Sequence, residues 1–343
     1  MIPPINLKAV DLFSGCGGLT QGLRDAGFSV EAAVELDPLA AETYAANHPA
    51  VRLFNEDIRS LSSIDLLNAC GLKKGELDLL AGCPPCQGFS RMRLNNKKRR
   101  MSDPRNRLID EVLRLVRDVF PKAIMLENVP NLARYSRFLK FKSELRKLGY
   151  KVTDEVLDVA DFGVPQRRRR LVLLASREGA LNHPQPVSQR TTVRSVIEEL
   201  PVHVLEKDVL HNLPEKRSER VQQLIRAIPK DGGSRSSLSP ELALKCHTKH
   251  DGYYDVYGRM SWDDVSPTIT GGCINPSKGR FLHPTEDRAI SLREAAMLQS
   301  FPPEYTFSLR RGKYAAAEMI GNALPPLFSR LQAEVIRDHL TQK

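Results

Sequence analysis

The sequence predicts an α/β protein with a mostly parallel β-sheet, accompanied by a smaller and less regular module. Two observations support this prediction. In the first half of the chain, short apolar runs alternate with amphipathic helical stretches, which is the pattern of right-handed βαβ units. From about residue 176 to 265, segments rich in turn-forming and polar residues replace that alternation. The 343 residues suffice for one large or two moderate domains.

The alternating half contains the predicted elements of the sheet. Strands are expected in LKAVDLFSG, FSVEAAVELD, VRLFNEDI, LDLLAGCPP, KAIMLENV and RRLVLLA, because each is a short apolar run. Helices are expected in LTQGLRDAG, which Gly27 ends, from Pro38 through LAAETYAANH, over 105–119, and in RFLKFKSELRKLG, which Gly149 ends. Beyond the irregular module, Ser291 and Glu294 predict a capping box, and an amphipathic helix follows GNALPP.

The charge of the chain is unevenly distributed. The net charge is +10, residues 91–100 (RMRLNNKKRR) contain six basic residues and no acid, and QRRRR follows at 166–170. Such clusters favour a polyanionic partner that contacts part of the surface, although surface charge for solubility explains the composition equally well. No apolar run approaches membrane-spanning length, and six cysteines are scattered. We therefore expect no membrane span, no signal peptide and no disulfide framework, which fits a reducing cytoplasm.

A glycine-rich turn follows the first predicted strand in DLFSGCGGLTQG. Its glycines allow the backbone to approach a ligand, and the helix that follows has free N–H groups at its start: Gly15, Gly17 and Gly18. The dinucleotide-binding pattern is incomplete, since Thr20 stands at its last glycine position. Glu35 ends the second predicted strand, where a carboxylate binds ribose hydroxyls, and Asp57 ends the third. This combination favours a nucleoside-bearing cofactor over a turn without a ligand.

The stretch GCPPCQGFS, residues 82–90, has three interpretations. A zinc site at Cys83 and Cys86 needs a second ligand pair at suitable spacing, which the sequence lacks, so no metal is predicted. A redox pair is expected at a helix start, which Pro84 and Pro85 do not favour. In the third interpretation Cys86 is a single nucleophile at the carboxyl end of a parallel strand, where open α/β sheets bind their ligands.

In order and over most of the chain, these segments resemble the cytosine-C5 DNA methyltransferases. DLFSGCGG, VELD and EDI are similar to that family's S-adenosylmethionine motifs, and the others to its remaining motifs: PPCQGFS, DPRNRL, LENVPNL, DFGVPQRRRR, REAAMLQSFP and GNALPP. Met297 and Leu324 depart from residues common in the family, outside the proposed chemistry. The resemblance implies a Rossmann-like S-adenosylmethionine-dependent methyltransferase domain plus a smaller irregular target-recognition domain.

The resemblance also implies domain limits and a reaction. Residues 1–178 and 318–343 are expected to form the catalytic, cofactor-binding domain, 179–290 the target-recognition domain and 291–317 a hinge. The implied reaction transfers a methyl group from S-adenosyl-L-methionine to C5 of a cytosine flipped out of a specific sequence in double-stranded DNA. A type II restriction-modification context, a monomeric enzyme and a cognate restriction endonuclease accompany this expectation.

Four residues receive catalytic roles from the resemblance. Cys86 is the expected nucleophile, whose thiolate adds to C6 of cytosine and thereby activates C5. Glu127, in the ENV triplet, is expected to hold or protonate N3, although a carboxylate that caps a neighbouring helix is the plainer interpretation. Arg168 and Arg170 are expected near the cytosine O2, the phosphate and Cys86. A solvent-facing charged edge would account for the same arginines without the resemblance.

The remaining roles concern binding. Cofactor contacts are expected from Phe13, Ser14, Gly15, Gly17, Gly18, Glu35, Leu36, Asp57, Ile58, Pro85, Asn322 and Ala323. DNA contacts are expected from Ser90, Arg91, Arg93, Gln166 and Thr268. On a strand, Gln166, Arg168 and Arg170 would share one face and Arg167 and Arg169 the other. Candidate base readers in the irregular region are Arg190, Arg194, Arg235 and Lys249.

Three alternatives remain open at this point. The tRNA-directed branch of the family is disfavoured by the GFS tripeptide and by the long irregular region. A catalytically inactive DNA-binding homologue usually lacks the cysteine or the glutamate, whereas Cys86 and Glu127 are both present. An NAD-type oxidoreductase would fit the glycine turn and Glu35 but leaves PPCQGFS and QRRRR unexplained.

Overall fold

The structure is a computed structural model and describes residues 6–85, 107–242 and 255–342. Five residues with predicted roles, Cys86, Ser90, Arg91, Arg93 and Lys249, lie outside these ranges. None of the helices within the ranges combines the length and the apolar character that crossing a membrane requires.

The strands and helices have the following bounds. The strands are β1 (Lys8–Leu12), β2 (Ser29–Val34), β3 (Arg52–Phe54), β4 (Leu79–Gly82), β5 (Ala123–Asn128), β6 (Lys151–Asp158) and β7 (Arg169–Ser176). The helices are α1 (Gly18–Asp25), α2 (Pro38–Asn47), α3 (Ser63–Cys70), α4 (Leu108–Val119), α5 (Ser136–Lys147), α6 (Arg194–Ile197), α7 (Val202–Lys207), α8 (Glu219–Ala227), α9 (Leu292–Leu298), α10 (Lys313–Asn322) and α11 (Pro326–Thr341).

All seven strands belong to one sheet, in the order β3-β2-β1-β4-β5-β7-β6. The strands β1 to β5 run parallel to one another, which confirms the strand and helix alternation predicted for this half of the chain. The predicted strand in RRLVLLA is confirmed as β7, which is antiparallel to both β5 and β6. The sheet is therefore mixed, and the start of β7 lies beside the carboxyl end of β5, with Asn128 opposite Leu171.

The chain divides into two compact units. The first comprises Met1–Phe162, Arg169–Pro186 and Leu324–Lys343, and the second comprises Gly163–Arg168 and Val187–Ala323. In the first unit, an apolar core joins the sheet to α3, α4 and α5. The predicted limits of the catalytic domain, the target-recognition domain and the hinge lie at 178/179, 290/291 and 317/318. These limits separate regions by function and not by compact packing, and they stay a prediction.

Helix α11 returns the end of the chain to the first unit, where it packs on α1. The contact is close at Gly22, where an added Cβ would lie 2.1 Å from Ser329 Oγ and 2.4 Å from the Pro326 carbonyl oxygen. The Ser329 hydroxyl also donates to the carbonyl of Gly18, and Arg337 donates to the carbonyl of Ala26 at 3.0 Å. Only glycine allows this approach of the two helices.

The second unit is irregular, as the sequence predicts. Its described residues form short helices and isolated β-bridges, and the capping box of Ser291 and Glu294 at the start of α9 is confirmed. The guanidinium of Arg259 is fully buried and donates to the carbonyls of Ile225, Ile228 and His283 and to other acceptors nearby. One arginine thus satisfies several carbonyls that helices and turns leave unpaired.

Candidate active site

The glycine turn, defined as Ser14–Gly18, joins the end of β1 to the start of α1. Gly15 and Gly17 have φ angles of 55° and 97°, in the left-handed region that favours glycine. The Ser14 amide donates to the carbonyl of Val34 on β2 at 3.0 Å, which ties the turn to the neighbouring strand. A Cβ added at Gly15 would meet no atom within 4 Å. The turn therefore borders open space at the carboxyl edge of the sheet.

Glu35, at the end of β2, directs its carboxylate at this turn. Its Oε2 accepts from the Gly15 amide at 2.8 Å, and its Oε1 accepts from the Asp37 amide at 2.7 Å. Burial raises the pKa of Glu35, and these two hydrogen bonds oppose the rise. Each oxygen retains a lone pair for another donor. The next residue, Leu36, is 61% exposed and offers an apolar surface beside the carboxylate.

The other predicted cofactor residues of the first unit lie at the same strand ends. Phe13 has a left-handed φ of 59° and packs partly against the core. Asp57 is paired with Arg59 at 2.5 Å, and the hydrogen bonds from Arg59 lower the pKa of the Asp57 carboxyl. Ile58 is buried. Asp57 therefore already has a cationic partner, whereas the Glu35 carboxylate accepts from the backbone amides of Gly15 and Asp37.

Asp11 lies fully buried on β1, below the glycine turn. Its Oδ2 accepts from the Thr20 hydroxyl at 2.7 Å, and that hydroxyl is 2.9 Å from the Tyr44 phenol oxygen. Its Oδ1 has no hydrogen-bond partner within the described part of the chain. Burial raises the pKa of Asp11 to about 7; the Thr20 hydroxyl opposes the rise and the Glu35 carboxylate adds to it. A buried carboxyl oxygen without a donor calls for a ligand or a proton.

These features fit a nucleoside-bearing cofactor that carries positive charge. Open space at Gly15 admits a ligand close to the backbone, and Glu35 has lone pairs for hydroxyl donors. The carboxylate of Glu35 makes the site acidic, which suits a cation. The sequence-based reasoning missed Asp11, although Thr20 at the last glycine position was a signal of a buried acceptor nearby.

The second part of the site lies where β4, β5 and β7 meet. Glu127 on β5 forms an ion pair with Arg170 on β7, with Nε and Oε1 2.7 Å apart. Both side chains are largely buried, at 10% and 16% exposure. The next residue, Asn128, donates from its side-chain amide to the carbonyl of Pro84 at 2.8 Å. This bond, which the sequence-based reasoning also missed, fixes the turn that leads from β4 towards Cys86.

In the second unit, two residues of the predicted QxRxR pattern are buried. Gln166 donates to Gln299 Oε1 at 2.7 Å and accepts from the Ile269 amide at 2.8 Å. Arg168 donates to the carbonyls of Ile269 at 2.9 Å and Gly321 at 3.0 Å. The predicted alternation of burial is confirmed, since the two intervening arginines, 167 and 169, are exposed.

Other predicted residues of the second unit have local partners. The Thr268 hydroxyl donates to the Arg167 carbonyl at 2.6 Å. Asn322 ends α10 and is exposed, and Ala323 follows it as the capping residue. Arg194 is engaged by Asp263 at 2.7 Å. Arg194 would therefore have to leave an acidic partner before it could contact a base.

Comparisons with known proteins agree with this arrangement. A sequence profile of the family described as C-5 cytosine-specific DNA methylase matches residues 7–337. The Type II methylase M.HgiDII of Herpetosiphon aurantiacus is 37% identical over 96% of this chain and 95% of its own length. The Type II methyltransferase M1.HphI of Haemophilus parahaemolyticus is 33% identical over 97% of this chain and 87% of its own.

Solved structures share the fold. A prophage-encoded protein of E. coli, described as a DNA modification methyltransferase, has a TM-score of 0.70 at 23% identity, covering 98% of this chain and 99% of its own. The Dnmt2 methyltransferase of S. pombe has a TM-score of 0.62 at 20% identity, covering 98% and 99%. At these identities the likeness concerns the fold alone, and it confirms the predicted Rossmann-like methyltransferase architecture.

The profile spans nearly the whole chain, and both bacterial relatives exceed 30% identity across it. The open space at Gly15 and the carboxylate of Glu35 agree with S-adenosylmethionine, the methyl donor of this family. The chain belongs to the C-5 cytosine-specific DNA methylase family and is a DNA (cytosine-5)-methyltransferase.

Proposed function

We propose that this enzyme methylates a flipped-out cytosine within one specific sequence of double-stranded DNA, through a covalent adduct between Cys86 and C6. The observation that carries the proposal is the buried ion pair of Glu127 and Arg170. It lies at the strand end where Asn128 holds Pro84, two residues before Cys86. A carboxylate fixed beside the turn that leads to a cysteine is the arrangement that this chemistry needs.

The residues divide the chemical work as follows. The Cys86 thiolate forms a bond from sulfur to C6, and the displaced ring electrons increase the negative charge at C5 and N3. Glu127 holds or protonates N3, and Arg170 keeps the carboxylate oriented through the 2.7 Å contact. The methyl group for C5 comes from S-adenosylmethionine. The C5 proton is then lost to solvent water, its bonding electrons re-form the double bond between C5 and C6, and the bond between C6 and sulfur breaks with its electrons returning to the Cys86 thiolate.

The cofactor contacts follow from the glycine turn. We propose that Glu35 binds the ribose hydroxyls, since each of its oxygens has one backbone donor and room for another. Phe13 and Leu36 offer apolar surface for the adenine, and the buried Ile58 supports that side. The proposed contacts of Ser14, Gly17, Gly18, Asp57, Pro85, Asn322 and Ala323 rest on the resemblance of their motifs.

DNA recognition is the proposed task of residues 179–290. Thr268 is partly exposed and suits a phosphate contact, whereas Gln166 is fully buried and has both ends of its amide bonded. Gln166 therefore supports DNA binding indirectly, by holding the Ile269 backbone next to Thr268. Ser90, Arg91 and Arg93 complete the proposed DNA contacts from the basic segment.

The test is bisulfite sequencing of plasmid DNA from a methylation-deficient host that expresses the enzyme. Protected cytosines in one short sequence context are expected, and they should disappear with Cys86→Ala as the matched control. Unprotected DNA with soluble wild-type protein would contradict the proposal, and methylated cytosines in tRNA would then identify the RNA-directed branch.

The cellular setting forms a second part of the proposal. We propose a cytoplasmic monomer that protects DNA from a cognate restriction endonuclease, because both bacterial relatives are named Type II enzymes. Light scattering of the purified enzyme should give the mass of one 38.5 kDa chain. Modified plasmid should resist an endonuclease that cuts the methylated sequence, whereas plasmid from the Cys86→Ala host should be cut.

A further inference from the structure

A second cysteine, Cys83, lies directly beside the catalytic glutamate. Strands β4 and β5 are parallel neighbours, and Gly82 is paired in register with Leu126. The next residue along each strand is Cys83 and Glu127, so the two stand at the same height on adjacent strands. The Cys83 amide donates to the Leu12 carbonyl on β1 at 3.2 Å, which fixes its backbone. The Glu127 carboxylate is near enough to raise the pKa of the Cys83 thiol through its charge and through a hydrogen bond.

The thiol of Cys83 keeps its proton. Burial holds the pKa of Cys83 well above its usual range, the carboxylates of Glu127 and Asp11 raise it further, and Arg170 opposes them. A protonated thiol is a poor nucleophile but can donate a hydrogen bond. Cys83 is therefore suited to support a neighbouring group and unsuited to attack the substrate.

Among the described residues, the Arg170 guanidinium on β7 is a strong donor to Glu127, and the other strand that neighbours β5 is β4. A largely buried carboxylate destabilises the folded protein unless hydrogen-bond donors surround it. One ion pair alone leaves the carboxylate free to rotate about that contact. A donor from the β4 side removes that freedom. Cys83 is the residue of β4 and its turn that stands level with Glu127.

On the basis of the proposed function, we infer that Cys83 is a positioning residue, whose S–H group holds the Glu127 carboxylate from the side opposite Arg170. The zinc and redox interpretations of this cysteine give way to a hydrogen-bonding one. The carboxylate is then held by donors from both strands that flank β5, and its free lone pairs can face the cytosine.

The test compares Cys83→Ala with Cys83→Ser, which keeps a donor of similar size. A hydrogen bond to a charged group, weakened here by the poor S–H donor, corresponds to a loss of roughly 3- to 10-fold in kcat for Cys83→Ala. The KM values for DNA and S-adenosylmethionine should stay within about twofold, and Cys83→Ser should recover most of the loss. Cys70→Ala, which removes a buried thiol from α3, serves as the matched control and should keep the wild-type kcat.

A double-mutant cycle separates donation from packing. In a Glu127→Gln background, Cys83→Ala should have little further effect on the single-turnover rate, because the two groups act together. Equal losses in Cys83→Ala and Cys83→Ser would overturn the inference, as would a wild-type kcat and pH profile in Cys83→Ala. If Cys83→Ala does not fold, the S–H stretching band of the intact enzyme decides: it should shift in Glu127→Gln, and an unchanged band would refute the contact. Wild-type enzyme that does not methylate DNA would instead contradict the proposed function.

Discussion

Replacing Asp11 by asparagine should stabilise the cofactor-free enzyme in alkaline solution and lose that effect in acid. Asp11 is fully buried, and its Oδ1 has no partner within the described residues. Its pKa rises from 3.8 to about 7 in the folded protein, because burial penalises the charged carboxylate. The folded state then holds a proton that the unfolded state has released, so stability falls as pH rises between these two values.

The size of the effect follows from the difference between the two pKa values. About 3 units correspond to roughly 4 kcal/mol of lost stability, complete above about pH 7 and absent below about pH 4. Between about pH 5 and pH 8, the difference in free energy of unfolding between the variant and the wild type should increase by roughly 3 kcal/mol in favour of the variant. An asparagine amide without an acceptor would subtract about 1–3 kcal/mol at every pH. The pH slope is therefore the diagnostic quantity, rather than the absolute difference.

The measurement is urea unfolding followed by circular dichroism, for both proteins, at a series of pH values without cofactor. Asp25→Asn, at the exposed end of α1, is the matched control and should follow the wild type at every pH. Parallel pH dependence of Asp11→Asn and the wild type between about pH 5 and pH 8 would refute the reasoning. It would mean that Asp11 ionises in the folded protein as easily as in the unfolded chain.

Three further predictions concern catalysis and packing. Glu127→Gln should lower kcat by about 100-fold or more and leave the calorimetric affinity for S-adenosylmethionine unchanged, whereas equal turnover would remove Glu127 from the mechanism. Gly22→Ala should lower the free energy of unfolding by about 1–3 kcal/mol, because the new Cβ would lie 2.1 Å from Ser329 Oγ. Thermal unfolding measures this, and an unchanged melting temperature would contradict the close packing of α1 and α11. Arg259→Met should lower the free energy of unfolding by about 3 kcal/mol or more, because it leaves buried carbonyls unpaired. The second unit should become sensitive to proteolysis, and resistance equal to that of the wild type would count against this role of Arg259.

Much of the sheet could be predicted because its strands are apolar. β4 and β5 are buried along their whole length, and the sequence shows the apolar runs LLAG and AIML there. β6 was not predicted, because most of its residues are only partly buried and KVTDEVLD has polar residues throughout. The eight-residue α3 also lacks a clear helical period. The antiparallel direction of β7 could not be predicted, because an apolar run indicates a strand but not its orientation in the sheet.

The site was predictable where a motif has a local backbone reason. The left-handed φ angles of Gly15 and Gly17 and the carboxylate of Glu35 follow from the turn itself. The proposed contact of Cys83 with Glu127 depends on the register of two strands whose residues lie 44 positions apart, which no local pattern encodes. The burial of Gln166 depends likewise on Gln299, far along the chain.

The contact of α1 with α11 has a consequence for synthesis on the ribosome. Gly18 and Ser329 are 311 residues apart in sequence, as are Ala26 and Arg337. The first unit cannot acquire these contacts until α11 has left the exit tunnel, whereas most of the second unit is contiguous and is translated earlier. Truncation of α11 should therefore leave α1 without its cover, and nascent chains stalled near residue 320 should expose that surface to chaperones.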